Sequence, residues 1–159
     1  MIETPAEIII KEQPLEQSAR RTVQSLLTRI LGLYEAMYDR FGTEGLDLIR
    51  EVSTEYGKNI GARARRGGDE WKMEDVGLFL VRVFNNVYAE GKISRWDGES
   101  IEIRVDKCPY PFCDDEICKA HTSMEEEMVR GLNPNLKYEV TKSIPRGDEY
   151  CLHVLSHRK

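Results

Sequence analysis

A chain of 159 residues, 40% hydrophobic and 32% charged, is long enough for one core and too apolar for a disordered segment. Its formal net charge of −5 speaks against the concentrated basic face of a duplex-DNA binder, so no nucleic-acid partner is expected. No apolar run approaches the ~20 residues of a membrane span, and Met1-Ile2-Glu3-Thr4-Pro5 has neither part of a signal peptide, which predicts a cytoplasmic protein with no membrane partner.

The chain opens with an arm over residues 1–16, where Ile8-Ile9-Ile10 precedes Pro14 as a short edge strand or a contact to a partner subunit. From about Ser18 the period becomes helical. Val23, Leu26, Leu27, Ile30, Leu31, Tyr34, Met37, Tyr38 and Phe41 recur at three- and four-residue steps until Gly42. Thr43 is the expected cap of a second helix with Leu46, Ile49, Val52, Tyr56 and Ile60 inward, running to Gly67-Gly68. Gly57 and Gly61, four apart, invite the close approach of a neighbour, and Arg63, Arg65 and Arg66 complement the dipole at the helix end. A third helix from Met73 to Ala89 carries Val76, Phe79, Leu80, Val83, Phe84 and Val87, and Gly91 stops it.

The period then drops to two. A strand begins at Ile93, Asp97-Gly98 signals a hairpin, and Ile101, Ile103 and Val105 alternate with polar residues. Cys108-Pro109-Tyr110-Pro111 breaks that strand, and a helix follows from Asp114 to Arg130. Two further strands, Leu136-Tyr138-Val140 and Tyr150-Leu152-Val154, flank the turn at Pro145-Arg146-Gly147-Asp148. Three helices followed by β-β-α-β-β predict an α+β fold, with a helical half over 17–90 and a second half over 91–159 in a single domain. The stripes of helices one and three read as core, and more sharply as walls of a small-molecule pocket lined by Tyr34, Phe79, Val83 and Phe84. The arm and the long first helix are the expected contacts of a homodimer.

All four cysteines, Cys108, Cys113, Cys118 and Cys151, fall in the last third. In a reducing compartment they are ligands, reactive thiols or core residues before they are disulfide partners. His121 follows Cys118 by one helical turn, so the two share a face; Cys151 and His153 share a face of the last strand. Two thiolates, an imidazole and a fourth S or N donor suit zinc at tetrahedral geometry, with Cys108, Cys118, His121 and Cys151 as the candidate set. The same thiols suit an iron–sulfur cluster. Glu125, four residues after His121, is placed to orient that imidazole. No GxGxxG, P-loop or GxSxG pattern supports nucleotide binding or a serine hydrolase.

The run Val105-Asp106-Lys107-Cys108-Pro109, then Cys118, Gly131-Leu132-Asn133-Pro134, Thr141 and Gly147-Asp148-Glu149-Tyr150-Cys151 resembles the L-2-amino-thiazoline-4-carboxylic acid hydrolase family over residues 75–156. More distantly, the element order and the cysteine-bearing end are similar to the 4-vinyl reductase, or hydrocarbon-binding, domains. The first resemblance implies hydrolysis of a cyclic amidine C–N bond. For that reaction Cys118 and Cys151 are the expected ligands or nucleophile, and His121, where the family's pattern has an acidic residue, is the acid/base. Arg82, Arg95 and Arg104 are the arginines on hand for a substrate carboxylate. The second implies a sensor-type domain that holds an apolar molecule between helices and sheet. In such sensors zinc is held by a helix cysteine, two residues of the penultimate strand and a last-strand cysteine. Cys118 and Cys151 match the outer two, and Thr141 and Ile144 stand near the middle two, so Cys108 and His121 would take their places. A redox carrier is the third reading that the clustered thiols allow.

Overall fold

The computed structural model describes residues 14–110, 112 and 114–159. Three helices, α1 (Leu15–Phe41), α2 (Thr43–Arg65) and α3 (Met73–Asn86), precede the hairpin strands β1 (Gly91–Trp96) and β2 (Ser100–Val105). Helix α4 (Asp115–Leu132) follows, then strands β3 (Leu136–Lys142) and β4 (Cys151–His157). The four strands form one antiparallel sheet in the order β1-β2-β4-β3. The fold is α+β, with the element order that the periodicities predict. The expected strand at Ile8-Ile9-Ile10 lies outside the described residues.

Local chemistry sets each boundary. Asp97 receives the backbone N–H groups of Glu99 and Ser100 while Gly98 takes φ +85°, which closes the β1–β2 hairpin. Asp114 caps α4 by accepting from the Glu116 amide at 2.7 Å. Thr43, by contrast, is already helical; Gly42 occupies the cap position and no side chain caps α2 there. Gly42 adopts φ +58°, a conformation open to glycine at little cost, and this reverses the chain too sharply for an extended Thr43. Helix α3 stops at Asn86, three residues short of the expected end, because Asn85 brackets Gly91 with two hydrogen bonds of 3.1 and 2.8 Å.

One face of the sheet is buried. Ile101, Ile103 and Val105 of β2 lie opposite Leu155, His153 and Cys151 of β4, and α3 and α4 cover them with Val76, Leu80, Phe84, Val129 and Leu132. The inward set of β4 is therefore Cys151, His153 and Leu155; Tyr150, Leu152 and Val154 turn to the other face. Both alternating sets carry apolar residues, so only the register against β2 decides between them.

Helices α2 and α4 pack backbone to backbone. A Cβ on Gly57 would collide with the Met124 carbonyl, and one on Gly61 would lie 3.2 Å from the Gly131 Cα. This is the close approach that the glycine spacing predicts. It also corrects part of the expected inward face of α2: Leu46 and Ile49 are buried, but α4 meets the Ser53–Gly57–Gly61 strip and leaves Val52 and Tyr56 more than half exposed. The stripe on α1 is likewise core only in part. Leu27 is buried, while Leu31, Tyr34, Met37 and Tyr38 pack on Leu46, Ile49, Phe112, Ile117 and Ala120. Leu26, Leu33 and Phe41, on the flank of α1 turned from the body, remain exposed. No helix among the described residues is long and apolar enough to cross a membrane.

Candidate ligand cavity

A partly open cavity of about 90 Å³ lies where α3, α4, the inner face of the sheet and the loop after β2 converge. From α3 and the turn after it come Val83, Phe84, Val87 and Ala89. Gly91 makes this wall possible: a Cβ there would sit 3.1 Å from that of Phe84. The loop after β2 adds Cys108, Pro109, Tyr110 and Phe112. Helix α4 turns one face inward, Cys118, His121, Thr122 and Glu125, at the i, i+3, i+4, i+7 spacing of a single helical stripe. Strand β4 completes the wall with Cys151 and His153, whose side chains share the buried face.

All four candidate metal residues, Cys108, Cys118, His121 and Cys151, thus line one cavity, and so do Val83 and Phe84. Tyr34 stands behind the wall, its ring 5.8 Å from His121 and 6.0 Å from Phe112. Phe79 belongs elsewhere. One turn earlier on α3, it meets Trp71 edge-on at 5.6 Å in an open cleft shared with Asp75, Leu78 and Arg82. The apolar stripe of α3 is longer than the cavity, so one stripe serves two places.

The three described thiols each engage a different partner. Cys108 donates to the Tyr110 carbonyl at 2.7 Å, Cys118 lies 3.8 Å from the Ser143 hydroxyl, and Cys151 accepts from the Ile144 amide at 3.3 Å. Among the described residues no three His, Cys, Asp or Glu side chains form a group able to hold a metal ion, so the arrangement does not itself fit a tetrahedral site. Cys113 lies outside the described residues.

Burial sets the protonation states. It pushes the Cys108 thiol up to about 12, Cys118 to about 11 and Cys151 in the same direction. Loss of solvation lowers both imidazoles, His121 and His153, to about 4. It raises the Glu125 carboxyl to about 7, with that residue's own backbone amide pulling the other way. At neutral pH the wall therefore presents thiols, neutral imidazoles and a carboxyl near its midpoint.

Two of these groups are unpaired. Among the described residues Glu125 Oε2 and His121 Nδ1 are buried without a hydrogen-bond partner, so the expected Glu125–His121 contact is not made. His153 is satisfied, its Nδ1 lying 2.6 Å from the Tyr138 hydroxyl and its ring 4.6 Å from Phe84. Around His121 stand Tyr110 and Phe112, at 4.5 and 5.5 Å between centroids, completing with Tyr34 an aromatic enclosure that sequence reasoning missed. Their place in the Cys108–Asp114 loop gives no periodic signal.

The expected carboxylate-binding arginines lie away from the cavity. Arg82 lines the Trp71 cleft, Arg95 pairs with Asp97 and Glu102, and Arg104 pairs with Asp106 beneath the Tyr150 ring. Arg95 and Arg104 occupy β positions that alternate with the buried ones, so strand geometry turns them outward. No protein-family model and no curated protein matches the chain.

Proposed function

We propose that the chain is a small-molecule-binding domain that encloses a largely apolar ligand between α3, α4 and the inner face of the sheet. The observation that carries this reading is the cavity whose wall is mostly hydrocarbon, with thiols and imidazoles held neutral and the Glu125 carboxyl near its midpoint. A cavity of about 150 Å³ accepts benzene, so 90 Å³ suits a ligand of about four heavy atoms, or about five where the wall gives a little. The reading agrees with the resemblance to hydrocarbon-binding domains. The hydrolase reading has Cys118 and His121 on the wall in its favour. Against it stand a thiol that is not a thiolate at neutral pH and a wall that, among the described residues, includes no lysine or arginine to hold a substrate carboxylate.

The test is a titration with small hydrocarbons followed in methyl NMR spectra, on the native protein and on Val83→Phe, which fills the cavity. Native-only binding supports the proposal. Equal shifts in both proteins, or in neither, would sink it.

A second reading keeps zinc, and the observation behind it is that all four expected ligands line the same cavity. It requires the thiols to leave their present partners and ionise as the metal enters. About one zinc per chain, lost in Cys118→Ser, would establish it; protein purified without added metal that contains none would end it. The exposed Leu26, Leu33 and Phe41 of α1 support a homodimer, which light scattering decides.

A further inference from the structure

We infer that the cavity is built for a small aliphatic amine, taken up as its ammonium ion, with Glu125 as the counter-ion and His121 as a second acceptor. This rests on the proposal that the cavity is a ligand site and adds the chemical class of the ligand.

The first observation is the pair of orphaned atoms. Glu125 is only 5% exposed and His121 only 8%, yet Glu125 Oε2 and His121 Nδ1 find no partner among the described residues. Buried polar atoms are seldom left this way, and here both belong to one face of α4 that lines the cavity. A carboxylate oxygen accepts only, and Nδ1 accepts when the proton sits on the other ring nitrogen. With Glu125 ionised and His121 in that tautomer, what is missing is a donor, and an ammonium group supplies three N–H bonds from one atom.

Charge and shape narrow the class further. Among the described residues the wall includes no lysine and no arginine to offset an anionic ligand beside Glu125. A purely apolar ligand would leave both acceptors unpaired. The rings of Phe84, Tyr110 and Phe112 line the same space, and aromatic faces attract organic cations. A buried ammonium is tolerated only when paired, which the Glu125 carboxylate provides. The volume limits the hydrocarbon part to a compact group such as isobutyl.

The experiment compares three probes of one shape at pH 7.5 by chemical-shift titration: isobutylamine, isobutanol and isobutyrate. Isobutylamine is expected to bind about tenfold or more tighter than isobutanol, with isobutyrate not binding. In Glu125→Gln the preference for the amine should vanish while isobutanol still binds. If isobutanol binds as well as the amine, or isobutyrate binds better, the amine assignment is overturned and the cavity remains a ligand site. If none of the three binds and hydrocarbons also fail, the ligand-site reading falls with it. Because the comparison among probes is made on the native protein, it stands even if Glu125→Gln does not fold.

Discussion

A carboxyl group in water is ionised almost completely at neutral pH, yet burial raises Glu125 to about 7 from an ordinary 4.5. The folded state thus holds this proton more tightly than the unfolded chain. Its contribution to stability is complete below about pH 4.5 and is lost as pH rises through about 7. His121 and His153 act in the opposite sense. Their folded values lie below 6.5, so their contribution is present above pH 6.5 and is lost as pH falls toward 4. The two trends overlap, and a variant is needed to separate them. Urea denaturation of Glu125→Gln against the native protein should show the variant gaining relative stability from pH 4 to pH 8, by up to about 3 kcal/mol. A difference independent of pH would mean that the Glu125 carboxyl is solvated in the folded state.

Residue by residue, much of this site was legible. The turn between Cys118 and His121 and the two-residue step between Cys151 and His153 put each pair on one face, as the structure bears out. The position of Glu125 followed from the same helical spacing. Its missing partner did not, because an unpaired atom is a property of what surrounds it.

Among the elements, glycine has two opposite meanings here. Gly57 sits at the α2–α4 crossing, where any side chain meets the Met124 backbone, whereas Gly32, midway along α1, faces nothing within 4 Å. Gly57→Ala should destabilise the fold by about 3 kcal/mol or more, since backbone cannot move aside as a side chain can. Gly32→Ala should stabilise by about 0.5–1 kcal/mol through helix propensity alone. Thermal melts of the two variants check both signs. Equal effects would mean that α2 and α4 do not pack at Gly57. The same crossing explains why Val52 and Tyr56 look inward in sequence and stand exposed. Helical period locates a stripe, but the partner that can come nearest chooses which flank to cover, and a strip of Ser53, Gly57 and Gly61 admits α4 closest.

Over the whole molecule, burial from several elements at once keeps the thiols protonated. Cys108 belongs to the loop after β2, Cys118 to α4 and Cys151 to β4, and all three lie against one cavity. In a Cys113→Ser background, Cys108 and Cys118 should react with an aromatic disulfide reagent at pH 7.5 at least ~100-fold more slowly than a free thiol, reaching the free rate on unfolding. A fast-reacting thiol in the folded protein would bring the nucleophile reading forward again.

The sequence by itself determined the order of helices and strands, the hairpin at Asp97-Gly98, the close approach at Gly57 and Gly61, and the pairing of Cys118 with His121 on one face. Each of these depends on residues a few positions apart, where backbone geometry alone relates them. Only the tertiary structure decided that β4 turns Cys151, His153 and Leu155 inward, that Phe79 leaves the cavity while Phe84 enters it, and that Tyr110 and Phe112 enclose His121. It also decided that Glu125 is held near neutrality without a partner. These depend on register, on which helix face another element can reach, and on loss of water, and all three arise between segments far apart in the chain.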